Sequence, residues 1–176
     1  MKFFAYDDKM FSPLLHSILQ EATCLGIAKV VGYKLYFHNR GSQDPSGKCN
    51  LVQVRDSQES VYGVLYEVVA REKHLLDRAG ALGYGNQEIT LKVEPLMPGG
   101  ETDNSPCFAF TYVAHKENVF QDLVPFSWYK ELVLSGAKEH RLPEIYLHYL
   151  QQIASTQDPN VAREFKNKRF LEAHLF

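Results

Sequence analysis

Val61-Tyr62-Gly63-Val64-Leu65-Tyr66-Glu67-Val68 is a β-branched and aromatic run, the composition of a β-strand. Outward from it the same character recurs on both sides. Upstream, Asn50 to Val54, Tyr33 to Phe37 and Ile27 to Val31 are β-rich, with Tyr33, Leu35 and Phe37 on one face. Phe3 to Tyr6 is a shorter apolar and aromatic run that suits a buried strand. Downstream, Ile89, Leu91 and Val93 alternate with Glu88, Thr90 and Lys92, and Phe108, Phe110 and Tyr112 alternate again.

Helical patterns lie mostly at the chain's two ends. Ser12 suits a helix N-cap and Pro13 a first turn. Leu14, Leu15, Ile18, Leu19 and Ala22 make the apolar face, and Gly26 falls just past its end. Leu75, Leu76 and Ala79 give a brief helical face before the glycine-rich turn Gly80 to Gly85. After Pro125 the pattern turns helical: Trp128, Leu132 and Val133 follow a Ser127 cap, and a second helix starts at Pro143 with Tyr146, Tyr149, Leu150 and Ile153 inward. Asp158-Pro159 caps a last helix, Val161 to Leu171. Two long loops, His38 to Lys48 and Pro95 to Pro106, interrupt the strands, and loops of that length are often functional. Six or so short strands with terminal helices predict an α+β fold built on a small barrel-like core.

The chain has 176 residues, which fits one domain able to bury a core without staples. Apolar residues make up 45%, charged residues 23%, and net charge is −2, so nothing points to nucleic acid or an anionic membrane as partner. No apolar run approaches the length of a membrane helix. Two acids, Asp7 and Asp8, arrive before any signal-peptide stretch can form, so a cytoplasmic protein is expected. Cys24, Cys49 and Cys107 are odd in number and far apart, which predicts buried free thiols and no metal site. GxSxG, P-loop and HExxH motifs are absent. His140 and His148 read as surface residues, and the basic run Arg163 to Arg169 as a solvated helix face.

A resemblance emerges when these segments are taken in order. Phe4-Ala5-Tyr6-Asp7-Asp8-Lys9-Met10 is a strand and loop; Gly32-Tyr33-Lys34-Leu35-Tyr36-Phe37, Ser46-Gly47-Lys48-Cys49-Asn50 and Gly63-Val64-Leu65-Tyr66 follow. Leu76-Asp77-Arg78-Ala79 leads into the glycine turn, and Tyr129, Gly136-Ala137-Lys138-Glu139-His140, Leu142-Pro143 and Tyr146 close the series. From Phe3 to about Ile153 the chain resembles the γ-glutamylcyclotransferase family, leaving 156–176 as a C-terminal helical extension on a domain of 1–155. The resemblance implies a six-stranded β-barrel-like core with flanking helices and a cavity at the barrel mouth. It also implies a reaction without metal or organic cofactor. In it a γ-glutamyl amide's own α-amino group attacks the γ-carbonyl and releases 5-oxoproline. A glutamate after the Leu-Asp element carries the proton.

The functional motifs depart from that pattern. Gly80-Ala81 stands where the family has Glu-Gly, so the acid/base is absent from its place; such a group typically supplies about 10²- to 10⁴-fold in rate. Asn86 stands where a tyrosine is common. Asp7 replaces a glycine and Asp8-Lys9 a Ser-Asn pair of a loop whose backbone N–H groups meet the substrate. The candidate replacement acids are Asp7, Asp8 and Asp77; the candidate ligand-binding residues are Tyr6, Asp7, Asp8, Lys9, Met10 and Tyr84. Two main readings follow: a protein that binds a small ligand of amino-acid or γ-glutamyl-amine type with the standard activity lost or altered, or an amide- or acyl-transfer enzyme using a relocated carboxylate. A third is an interaction module docking through the basic C-terminal segment.

Overall fold

Among the described residues seven strands form in the order the alternation predicts: β1 (Lys2–Ala5), β2 (Thr23–Val31), β3 (Tyr33–Arg40), β4 (Gly47–Gln53), β5 (Ser60–Glu67), β6 (Asn86–Pro95) and β7 (Cys107–Ala114). The structure, a computed structural model, describes residues 1–56, 58–97 and 105–174. Most of the expected Pro95 to Pro106 loop therefore lies outside the described residues.

Five strands close into a barrel in the order β1-β5-β2-β6-β7, and β7 meets β1 in parallel where Phe3 faces Phe110. β3 and β4 pair only with each other. The expected six-stranded core is thus a five-stranded barrel plus a hairpin. The reason lies in β2, whose two edges are already taken by β5 and β6. At Gly32, with φ of +76°, the chain turns out of the barrel and β3 finds its only ladder in β4. β3 runs to Arg40 and β4 starts at Gly47, so the loop between them is shorter than the sequence suggests.

Among the described residues five α-helices surround these sheets: α1 (Ser12–Ile18), α2 (Lys73–Ala79), α3 (Ser127–Glu139), α4 (Glu144–Gln152) and α5 (Val161–His174). α1 is short, and Gly26 lies inside β2, at an irregularity in its pairing with β5. Ser12 and Ser127 are first helical residues, not caps, because Phe11 and Phe126 hold the cap positions. Ser12 instead gives its N–H to Glu139 and meets His140 Nε2 with its hydroxyl at 3.2 Å. His140 also lies 3.1 Å from the Tyr66 hydroxyl, so it is a packed residue and not the surface group expected, whereas His148 is exposed. Cys24 is exposed, Cys107 half-buried and Cys49 buried, so only the last fits the buried-thiol expectation.

The core fills the barrel and continues under the helices: Phe4, Leu15, Val64, Tyr66, Leu76 and Val133 are essentially inaccessible. Each apolar side chain of that size contributes about 1.5–3 kcal/mol when fully buried. Along β7 both faces are covered from Ala109 to Ala114, while Phe108 projects outward at 71% exposure. α3 presses directly on the first loop: a Cβ at Gly136 would lie 2.4 Å from the Phe11 backbone nitrogen. That contact seals Met10 in the core and fixes the turn Asp8–Met10 above it.

The C-terminal segment is part of the body. The buried Asp158 carboxylate accepts the Trp128 indole N–H at 2.9 Å and a two-pronged bond from Arg163 at 2.6 and 2.7 Å. Phe170 meets Phe11 edge-on, and Leu171 is buried. The expected solvated face holds for Lys166, Lys168 and Arg169, while Arg163 and Glu164 are drawn into the body. Alternation of charge hid this, since Glu164 turns inward while Lys166 and Lys168 stay exposed. No helix among the described residues is long and apolar enough to cross a membrane.

Candidate functional site

A cavity of about 680 Å³ opens between the first loop, the β3–β4 loop, the turn after α2, β7, α3 and the first half of α5. That volume lies inside the usual range for small-molecule sites, about 300–1,000 Å³. Its floor includes Tyr6, whose hydroxyl donates to the Tyr112 carbonyl at 2.6 Å and ties the first loop to β7. Burial, reinforced by the nearby Asp7, pushes the Tyr6 phenol far above its ordinary pKa, so it stays protonated.

The first loop carries a compact ion triad. Lys9 donates its backbone N–H to Asp7 Oδ1 at 3.0 Å and its ammonium to Asp7 Oδ2 at 2.9 Å and Asp8 Oδ1 at 3.2 Å. The two acids thus neutralise a nearly buried lysine and present one net negative charge. Lys9 is held well above its ordinary value: burial opposes its charge, but Asp7 and Asp8 outweigh that. Asp8 is shifted up as well, but there burial wins. Burial raises its carboxyl above the usual range against the pull of Lys9.

Across the cavity the β3–β4 loop folds around Lys48. Its ammonium donates to both Asp44 oxygens at 2.9 Å and to the Ser46 hydroxyl at 2.7 Å. It also lies over the rings of Tyr129 at 4.6 Å and Trp128 at 4.9 Å. For Asp44, burial is outweighed by the Ser46 and Lys48 hydrogen bonds, which hold its carboxyl below the ordinary value. α5 supplies Arg163 and Lys166 to the same wall.

The turn after α2 decides what the cavity can do to a ligand. Gly80 caps α2 and faces the cavity without a side chain. A Cβ there would lie 2.7 Å from Cγ and Cδ2 of Tyr112. The tyrosine ring therefore fills the space a side chain at position 80 would need. Its hydroxyl donates to Asp77 Oδ1 at 2.6 Å, and Lys73 donates to the same oxygen. Burial and then the Asp77 carboxylate push the Tyr112 phenol far up. Asp77 itself, despite burial, is held below its ordinary value by the Lys73 and Tyr112 hydrogen bonds. Both donors share Oδ1, and Asp77 does not line the cavity. Asn86 steadies the turn by donating to the Gly80 carbonyl at 2.9 Å while accepting from Asn39 at 3.0 Å.

The sequence-derived residues thus separate. Tyr6, Asp7, Asp8, Lys9, Gly80 and Tyr84 share the cavity, with Tyr84 at its mouth and 83% exposed. Met10 is sealed in the core, and Asp77 stands behind Tyr112. Sequence reading missed Tyr112 as a site residue, along with Lys48, Arg40, Arg163 and Lys166. Tyr112 carried only a strand signal, and the basic residues sit on two segments that only tertiary packing brings together. Among the described residues no group of three or more His, Cys, Asp or Glu is placed to hold a metal.

This closed barrel with its hairpin and cavity is the fold of γ-glutamylcyclotransferase-like proteins. A solved structure described as a gamma-glutamyl cyclotransferase superposes with a TM-score of 0.79 at 21% identity, covering 96% of this chain and 98% of that one. An uncharacterised human protein, loc79017, superposes with a TM-score of 0.76 at 22% identity over 95% of this chain and 97% of that one. YkqA from Bacillus subtilis gives 0.67 at 16% identity, over 89% of this chain and 56% of that one. The AIG2-like family profile matches residues 60–150, and the chain belongs to that family. No curated protein sequence matches it.

Proposed function

We propose that the protein binds a small, amino-acid-like ligand in the cavity and lacks the standard cyclotransferase activity. The observation that carries this reading is the filled space at Gly80. Ring closure of a γ-glutamyl amide needs a group that takes a proton from the amine and returns one to the leaving nitrogen. At the turn after Leu76-Asp77 the neighbouring oxygens are a phenol that keeps its proton and a carboxylate tied to two donors. Neither accepts and returns a proton near neutral pH. The cavity itself remains large and polar, and Asp7 and Asp8 suit the ligand's ammonium group. Three free cysteines fit a reducing cytoplasm as its location.

The test has two arms. Purified protein is incubated with a panel of γ-glutamyl amino acids and 5-oxoproline is measured; none is expected above the uncatalysed rate. Calorimetry with amino acids and γ-glutamyl amines is expected to give saturable binding that Asp8→Asn weakens. Turnover at an enzymic rate overturns the reading.

A second reading rests on Asp8. It lines the cavity, and burial raises its carboxyl above the ordinary value. On that reading the protein is an amide- or acyl-transfer enzyme, and Asp8→Asn abolishes turnover while leaving ligand binding measurable.

A further inference from the structure

The cavity's charge differs in sign from that of the whole chain. The protein carries a net −2. The cavity wall holds five cationic side chains, Lys9, Arg40, Lys48, Arg163 and Lys166, against three carboxylates, Asp7, Asp8 and Asp44. The charges are also ordered. Asp7, Lys9 and Asp8 form one paired group, Lys48 and Asp44 the next, and Arg163 with Asp158 the third. Arg40 and Lys166 have no acidic partner among the described ion pairs. Arg40 rests 5.8 Å over the Phe120 ring, and Lys166 is exposed on α5. The acidic end, at the first loop, and this cationic side, at the β3–β4 loop and α5, belong to one continuous space.

We infer that the ligand is two-ended: an ammonium group meets Asp8, and an anionic group meets Arg40 and Lys166 on the side formed by the β3–β4 loop and α5. This rests on the proposal that the cavity binds a small ligand and goes beyond it by assigning the second charge and its residues. Arg40 and Lys166 are both exposed at the cavity's rim, where two cations without an acidic partner among the described ion pairs favour an anion over a neutral group. Paired cations such as Lys48 hold the wall's shape, so selectivity falls to the two unpaired ones. A phosphate and a carboxylate share the needed chemistry, and the geometry of Arg40 favours either as a two-pronged partner.

The experiment uses the full chain and three amines in isothermal titration: phosphoethanolamine, γ-aminobutyrate and ethanolamine. The first two carry both charges, the third only the ammonium. The inference expects one or both of the doubly charged compounds to bind at least about tenfold more tightly than ethanolamine, since hydrogen bonds to charged groups are the stronger ones. Which of the two binds better distinguishes phosphate from carboxylate. The Arg40→Gln, Lys166→Gln double variant, which touches no core contact, is expected to erase that preference and leave ethanolamine unchanged. Ethanolamine binding as tightly as both others overturns the inference while the pocket reading stands. So does a preference that survives in the double variant. Saturable binding of none of the three, or of other amino compounds, sinks the pocket reading and this inference with it.

Discussion

Adding one methyl group at Gly80 tests the packing that underlies the account. Gly80 has φ −79° and ψ 1°, a conformation alanine adopts without strain, so Gly80→Ala probes the contact with Tyr112 and little else. Relief of unfolded-chain entropy alone favours the alanine by about 0.4–1 kcal/mol. Against this, the new Cβ lies 2.7 Å from Tyr112 Cγ, the base of the ring, so swinging the far end aside does not relieve it. The ring is also held at its hydroxyl by Asp77, and its backbone carbonyl is held by Tyr6. Overpacking of this kind costs about 1–3 kcal/mol. Urea unfolding of four proteins, wild type, Gly80→Ala, Tyr112→Leu and the double variant, isolates the coupling. The single alanine is expected to destabilise, lowering Tm by roughly 2–4 °C per kcal/mol for a chain of this size. In the leucine background it is expected to be neutral or stabilising, a coupling of about 1–3 kcal/mol. Equal effects of Gly80→Ala in both backgrounds would refute the claim that Tyr112 occupies that space.

Gly136→Ala is expected to be worse than Gly80→Ala, because its Cβ meets the backbone of Met10 and Phe11 at 2.4–2.6 Å and backbone cannot step aside; comparative urea midpoints check this. Asp158→Ala leaves the buried indole N–H of Trp128 without its acceptor, a cost of about 1–3 kcal/mol, and frees the start of α5. The chain has a single tryptophan, so a red-shifted emission reports it directly; an unshifted spectrum with unchanged stability contradicts the anchor. In the wild type that anchor is also acid-sensitive. Burial opposes its charge, but Arg163 and Trp128 hold the Asp158 carboxyl down to about 2, so its contribution is complete above pH 3.8 and fades as pH falls toward 2. Asp8 has the opposite sign. Its raised carboxyl binds protons more tightly folded than unfolded, so its stability contribution falls as pH climbs above 3.8, and Asp8→Asn is expected to gain Tm on wild type over that window. A wild-type advantage that grows with pH would contradict this assignment.

The fold was largely legible because strand alternation and helical periodicity are local signals. Ile89 to Val93 and Trp128 to Val133 fall in the elements their spacing predicts. Helix starts were read less well: Ser12 and Ser127 are good cap types, yet tertiary partners, Glu139 and His140 for Ser12, claimed the groups a cap would use. The split of the seven described strands into barrel and hairpin depends on which edges of β2 are free, a global property no segment encodes. At the site, the glycine at position 80 was visible as a letter, while the ring that fills the space beside it came from β7, 32 positions further along the chain. The cationic wall escaped notice for the same reason, since Arg40 and Lys166 share one cavity only once α5 has packed beside the β3–β4 loop.

The most direct test of a binding protein without cyclotransferase chemistry is a single-turnover incubation: enzyme-concentration protein with γ-glutamyl-alanine, quenched and analysed for pyroglutamate by mass spectrometry. Intact dipeptide is expected, in wild type and in Asp8→Asn alike. Stoichiometric conversion within seconds by the wild type would show that some group in this cavity moves the proton after all.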